Sequence, residues 1–185
     1  MRVISGKAKG RKLKAPSRAR PLTDQAKEAL FNILKDRVVD TYFLDLFAGS
    51  GAGGIEALSR GARLAFFVEL NRQAVRVIRD NLETTGFSDQ AEVYAVDALR
   101  ALNIFGRKEA KFDIIYIGSP YDSPVLAKVM EKLGETGLLK GKGVVIAEHR
   151  KQHRLEEIYG CLKAFRESKY GETVFTFYEN CDLSR

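Results

Sequence analysis

The chain has 185 residues, 45% of them hydrophobic, and a formal net charge of +7. That length builds one domain with a proper core, not two large ones. No run of about 18 apolar residues occurs, so no membrane span is expected.

The excess charge is local. Residues 1–20 hold eight basic side chains and no acid, and the rest of the chain sums to −1. A basic arm on a near-neutral body points to a polyanion, with nucleic acid as the expected partner. Arg2, Lys7, Lys9, Arg11, Lys12 and Arg20 are the candidate contacts. The plainer alternative is a solvated tail that aids solubility. No apolar stretch or small-residue cleavage site follows the basic start, so it does not read as a secretory signal. Cys161 and Cys181 are the only cysteines. They suit neither a zinc knuckle nor a disulfide framework, and neither histidine has a partner that marks a metal site. The expectation is a cytoplasmic monomer without a metal.

In chain order, Val3–Ser5 and Lys12–Ala15 flank a turn at Gly6–Gly10, which predicts a short hairpin. Pro16 and Pro21 punctuate the chain, and Thr23 or Asp24 is placed to cap a helix. Ala26, Ala29, Leu30, Ile33 and Leu34 share one helical stripe. From residue 42 strands and helices alternate. Strands are predicted at Tyr42–Phe47, Leu64–Leu70, Glu92–Val96, Asp113–Ile117 and Gly143–Glu148. Helices are predicted near Gly54–Arg60, Asn71–Thr84 and Pro124–Leu133, and Arg107–Lys111 reads as a surface loop. Leu162–Ser168 and Thr173–Tyr178 read as a closing antiparallel pair. Near-continuous apolar strands alternating with helices predict an α/β fold, mostly parallel, with both faces covered. The division expected is a basic hairpin-and-helix extension over 1–40 and a cofactor-binding domain over 41–185. His149, Arg150, Lys151, His153 and Arg154 read as a solvated basic cluster.

The strongest local signal is the run Asp45–Gly54. Gly49, Gly51 and Gly54 satisfy G-x-G-x-x-G between a strand and a helix. Glu69 follows at the end of the second strand, where an acid accepts ribose hydroxyls. The same fingerprint fits NAD. Two acids favour S-adenosylmethionine instead. Asp45 would repel a pyrophosphate but suits the ammonium of a methionine moiety. Asp97 is placed to accept from an adenine amine, although an Asp there, taken singly, is more often a helix cap. The cofactor set is Asp45, Phe47, Ala48, Gly49, Ser50, Gly51, Glu69, Asp97 and Ala98.

The fourth strand ends in Gly118-Ser119-Pro120-Tyr121. Around it the chain resembles a known family. The matching stretches are Arg2–Gly6, Gly10–Leu13, Arg20–Asp24, Glu28–Asn32, Leu44–Gly51, Glu56–Ala62 and Tyr170–Thr173. Together they are similar to the RsmD-type 16S ribosomal RNA guanine-N2 methyltransferases, over roughly residues 2–180. The resemblance implies a Rossmann-like class I methyltransferase with a seven-stranded sheet, its last strand antiparallel. It implies S-adenosylmethionine as donor, S-adenosylhomocysteine as product and a guanine amine as acceptor. The substrate implied is 16S rRNA in the bacterial small ribosomal subunit or its assembly precursor.

The chain departs from the family at one point. Amino-methyltransferases of this type carry Asp/Asn-Pro-Pro-Tyr after the fourth strand, where this chain has Gly118-Ser119-Pro120-Tyr121. An exocyclic amine is a poor nucleophile, and acceptors for its hydrogens orient its lone pair. Gly118 offers only a backbone carbonyl. The carbonyls of Gly118 and Ser119 and the Ser119 hydroxyl are the remaining acceptors, and Tyr121 is placed to stack on an extruded base. Gly53 stands where the family has a bulkier apolar residue, which implies a looser turn. Three alternatives stay open: a family member that binds without methylating, an amino-methyltransferase with another nucleic-acid target, and an NAD-dependent oxidoreductase.

Overall fold

Strand and helix alternate in the order the periodicity predicts. A computed structural model describes residues 1–17, 22–120 and 123–181. Arg20 and Tyr121, both named above, lie outside the described residues. The elements are α1 (Asp24–Leu34), β1 (Tyr42–Leu46), α2 (Ala52–Ser59), β2 (Leu64–Val68), α3 (Arg72–Thr85), β3 (Ala91–Tyr94), α4 (Ala98–Arg107), β4 (Phe112–Ile117), α5 (Val125–Thr136), β5 (Leu139–Arg150), β6 (Ile158–Tyr159), β7 (Leu162–Tyr170) and β8 (Thr173–Asn180). They form one sheet ordered β3-β2-β1-β4-β5-β8-β7-β6. The first five in that order are mutually parallel, and β8 runs antiparallel to β5. The sheet has eight strands where seven are expected. The extra one is the two-residue β6, which pairs only with the start of β7.

The local reasons are readable. Thr23 caps α1 through the Ala26 amide, and Asn71 caps α3 by accepting from Gln73 and Ala74. These side chains satisfy amides that have no partner inside the helix. In α1 the buried face is Ala26, Lys27, Leu30, Phe31 and Leu34. It is rotated from the predicted stripe because Phe31 stacks on Phe43 with ring centroids 6.1 Å apart. Ala29 and Ile33 are left half-buried. The sequence pattern does not flag α4. Its buried Ala98, Ala101, Leu102 and Phe105 do keep helical spacing, but two alanines make a weak stripe.

Alternation along the strands builds two cores. Phe43, Phe67, Ile114 and Ile146 face α1, α2 and α3, while Leu44, Val68, Ile115 and Val145 face α4 and α5. The N-terminal segment joins the first of these cores through Val3, Ala8 and Leu13, so it has no core of its own. Its arms pair as a short hairpin: Arg2 and Lys12 bridge, and the Val3, Gly10 and Leu13 amides donate to the Arg11, Val3 and Met1 carbonyls, without forming two full strands. Further bonds tie it to α2. Ile4 and Ser5 donate their amides to Glu56, and Lys7 donates to the Ser59 carbonyl.

Candidate active site

The same alternation decides which side chains meet. Phe43 and Asp45 share a face with Ala65 and Phe67, with Ile114 and Tyr116, and with Val144 and Ile146. Asp45 lies in register with Phe67 on one side and Tyr116 on the other, and Tyr116 lies in register with Ile146. Two residues further along each neighbouring strand come Glu69, Gly118 and Glu148. They stand at the carboxyl ends of parallel strands, beside the order reversal between β1 and β4, where open α/β sheets bind ligands. A cavity of about 750 Å³ opens there. That volume suits a nucleoside-sized ligand with a second group beside it.

One half of the cavity is the glycine-rich turn. Gly49 and Gly51 take φ of +56° and +79°, and Phe47, which carries a full side chain, takes +63°. A bulky residue in the left-handed region is strained and persists only where its surroundings hold it. Here the Ala48 amide donates to the Val68 carbonyl, and the Gly49 amide donates to Glu69 at 2.9 Å. The other Glu69 oxygen accepts from the Asn71 amide at 2.8 Å. Asn81 locks the far side. Its amide nitrogen donates to the carbonyls of Ser50 and Lys14, and its oxygen accepts the Lys14 amide. Asn81 thereby ties the turn to the N-terminal segment, a role that no sequence motif marks.

Asp45 is almost wholly buried beneath this turn and accepts the Gly54 amide at 2.9 Å. All told its carboxyl is raised to about 7, chiefly because burial penalises the charged form. Glu69 and Glu148 also push it up, and the bond from Gly54 opposes them. The expected loosening at Gly53 is not what the packing gives. A Cβ at 53 would sit 2.9 Å from the Asp45 carboxylate and 3.4 Å from the Tyr116 ring. The glycine lets the α2 backbone close over both.

Asp97 and Ala98 stand apart. They are not in the cavity lining, and the Asp97 carboxylate caps α4 through the Arg100 amide at 2.9 Å. Gly51 is the N-cap of α2, behind the lining residues. The other cofactor candidates, Phe47, Ala48, Gly49, Ser50 and Glu69, line the cavity with Asp45.

The other half is built by β4 and β5. Gly118, Ser119 and Pro120 line it, and the Gly118 amide continues the β4–β1 ladder to the Leu46 carbonyl. Below them the Tyr116 hydroxyl donates to Glu148, both side chains being buried. Neither residue is marked by a motif. The one available signal is an acid closing the apolar run Val144–Ala147. Arg150 also lines the cavity. His149 is not solvated as expected: it is buried and bonded to Thr176, because both faces of β5 are covered there.

Pro16, Ser17, Leu22 and Thr23 form a further wall of the cavity, so the basic segment borders its rim. Arg2, Lys7, Lys9, Arg11 and Lys12 are exposed. None of their side chains forms an ion pair with a described residue, whereas Lys14 pairs with Asp80.

This architecture, with a glycine-rich turn and acids at the carboxyl ends of β1 and β2, is that of the Rossmann-like methyltransferases. Residues 1–179 match the family model described as conserved hypothetical protein 95, and the chain belongs to this RsmD-type methyltransferase family. It is 39% identical to a "Putative rRNA methyltransferase YlbH" of Bacillus subtilis, over 97% of this chain and 98% of that protein. It is 30% identical to "Ribosomal RNA small subunit methyltransferase D" of Escherichia coli, over 97% of this chain and 89% of that one. A solved structure, "Putative methyltransferase yhhF from Escherichia coli", superposes with a TM-score of 0.86 at 32% identity, covering 97% of both chains. Among the described residues no helix is long and apolar enough to cross a membrane.

Proposed function

We propose that this protein transfers a methyl group from S-adenosylmethionine to the exocyclic N2 of a guanine in 16S ribosomal RNA. The observation that carries the reading is a single cavity that holds Asp45 and Glu69 on one side and the Gly118–Pro120 loop on the other. The acids fit this cofactor. Asp45, Glu69 and Glu148 line the cavity together, and burial, with smaller pushes from the other two acids, raises the Asp45 carboxyl. Such a ring repels a pyrophosphate and attracts an ammonium and a sulfonium. When bound, S-adenosylmethionine supplies an electrophilic methyl group. Asp45 takes the ammonium, and Glu69 takes the ribose hydroxyls while its carboxylate also holds the glycine turn. Asp97 takes the adenine amine with the oxygen not engaged at Arg100. Gly118, Ser119 and Pro120, with Tyr121, receive the target base. The rRNA substrate is supported by the relatives named as rRNA methyltransferases and by the exposed basic side chains of the N-terminal segment, part of which borders the cavity. The 16S molecule, within the small subunit or its precursor, is the form these relatives favour.

The test is methyl transfer from labelled cofactor to unmodified small subunits, with mass mapping of the product nucleotide. Label fixed on N2 of one guanine is the expected result. Label on another base or on protein would overturn it. A second reading, a family member that binds cofactor and RNA without turnover, is favoured by Gly118, which has no side-chain acceptor. Absence of turnover in wild type together with turnover in Gly118→Asp would select it.

A further inference from the structure

We propose that the Tyr116–Glu148 pair supplies the side-chain acceptor for the target amine that residue 118 lacks. This rests on the proposed transfer to an exocyclic amine. Such a nitrogen carries two hydrogens and a lone pair delocalised into its ring. Accepting both hydrogens turns the lone pair toward the methyl group, and one hydrogen must then leave as a proton. The Gly118–Pro120 backbone offers carbonyls but no base.

The geometry places the missing group next door. A Cβ built on Gly118 would lie 3.3 Å from the Tyr116 hydroxyl and 3.2 to 3.4 Å from its ring carbons. The phenol tip therefore occupies the space into which a side chain at 118 would project. Its O–H is directed to Glu148, which sets the lone pairs of the oxygen as acceptors. Tyr116 and Glu148 are only 4% and 8% exposed, yet both line the cavity, so the pair is held rigidly at its wall. Preorganised polar groups in such a wall act without reorganising during reaction.

The step balances. The nitrogen–methyl bond forms as the sulfur–methyl bond breaks, leaving the amine nitrogen cationic. It gives one proton to the Tyr116 oxygen while the Tyr116 hydroxyl proton passes to the Glu148 carboxylate. Tyr116 is then the catalytic residue, and Glu148 positions it and receives the proton.

The test compares wild type, Tyr116→Phe, Glu148→Gln and the exchange Tyr116→Phe/Gly118→Asp. Turnover is measured on small subunits. Binding, with S-adenosylhomocysteine present, is measured on two RNA fragments that differ only in guanine or inosine at the mapped nucleotide. Tyr116→Phe is expected to lower kcat about 10²-fold with KM for the subunit nearly unchanged. It should also weaken a preference for guanine over inosine of about tenfold, since inosine lacks the amine and one of the amine's two acceptors is gone. The exchange variant should recover most of kcat, because loss of the hydroxyl removes the 3.3 Å contact and the remaining ring carbons, at 3.2 and 3.4 Å, need give only a few tenths of an ångström. Wild-type kcat and guanine preference in Tyr116→Phe would overturn the pair while leaving the proposed reaction standing. Turnover that appears only when Asp is placed at 118 would overturn the pair as well. No N2-methylation by any form, with cofactor still bound, would overturn the proposed reaction and the pair together.

Discussion

The Asp45 carboxylate accepts the amide of Gly54 at 2.9 Å from beneath the first turn of α2, and the pair is buried. This contact makes an acid serve two ends. It satisfies a helix amide and lines the cavity, where the proposed cofactor's ammonium would meet it.

The consequence is a pH dependence with a definite sign. The folded value, about 7, lies above the ordinary 3.8. Between those values the folded apoprotein keeps a proton that the unfolded chain has released. The stability this confers is fully present below the lower value and is lost as pH rises through the upper one. Asp45→Asn should therefore melt higher than wild type, by a margin that grows between about pH 4 and pH 7 and is level above that. Cofactor affinity should run the other way. It should rise about tenfold per pH unit up to about pH 7 and level off above it, and Asp45→Asn should lose both the affinity and the slope. Calorimetric titration with S-adenosylmethionine across that range, beside thermal melts, checks both signs.

Gly53→Ala tests the packing of the same carboxylate. The added Cβ meets the Asp45 oxygen at 2.9 Å, and that oxygen cannot retreat without giving up the Gly54 amide. Overpacking of this kind costs about 1–3 kcal/mol. The larger effect should fall on cofactor affinity, because the displaced group is the one proposed to meet the ammonium. Urea denaturation and cofactor titration on one preparation separate the two. A variant that binds as wild type does would show that the turn has slack.

The anchor of the N-terminal segment gives a third prediction. Glu56 is fully buried and accepts the Ile4 and Ser5 amides and the Arg60 guanidinium. It also faces the buried ammonium of Lys27 at 3.7 Å, whose own bond goes to the Arg2 carbonyl at 2.6 Å. Burial lowers the Lys27 pKa, and Glu56 and Asp24 counter it. Glu56→Ala leaves a buried cation short of a partner and two amides unmet, and should destabilise by about 3–5 kcal/mol. Hydrogen exchange should quicken first at Ile4 and Ser5. Uniform quickening across the sheet instead would mean that the segment does not open separately.

Much of this was legible in the sequence. Apolar strands alternating with helical stripes specify the doubly covered sheet, and the glycine turn with Asp45 and Glu69 marks its ligand-binding end. What escaped reading is what depends on register. Glu148 looks like an ordinary strand terminus until β5 is laid beside β4, which brings it two positions beyond the residue opposite Tyr116. Asn81 reads as one more polar position of α3, because its partners, Ser50 and Lys14, are distant in the chain. Asp97 was ambiguous between cap and ligand, and its engagement with Arg100 accounts for the first role. His149 sits in a basic run that reads as solvated, and only the covering of both faces of β5 buries it.

The exposed cations of the N-terminal segment yield a prediction that separates RNA binding from cofactor binding. Lys7, Arg11 and Lys12 are exposed, and no described acid pairs with them. Cations in this state neutralise phosphates and release counterions, so each phosphate contact steepens the salt dependence of binding by about 0.7 to 0.9 in a log–log plot. Replacing all three with Ala should weaken RNA binding and lower that slope by about 2 to 3 if each meets a phosphate. Cofactor affinity should stay within about twofold, since none of the three lines the cavity. The measurement is fluorescence anisotropy with a small-subunit RNA fragment over a salt series, beside cofactor titration. An unchanged slope would place the RNA elsewhere on the surface. Equal loss of RNA and cofactor binding would mean that the substitutions disturb the wall formed by Pro16, Ser17, Leu22 and Thr23 rather than a contact with phosphate.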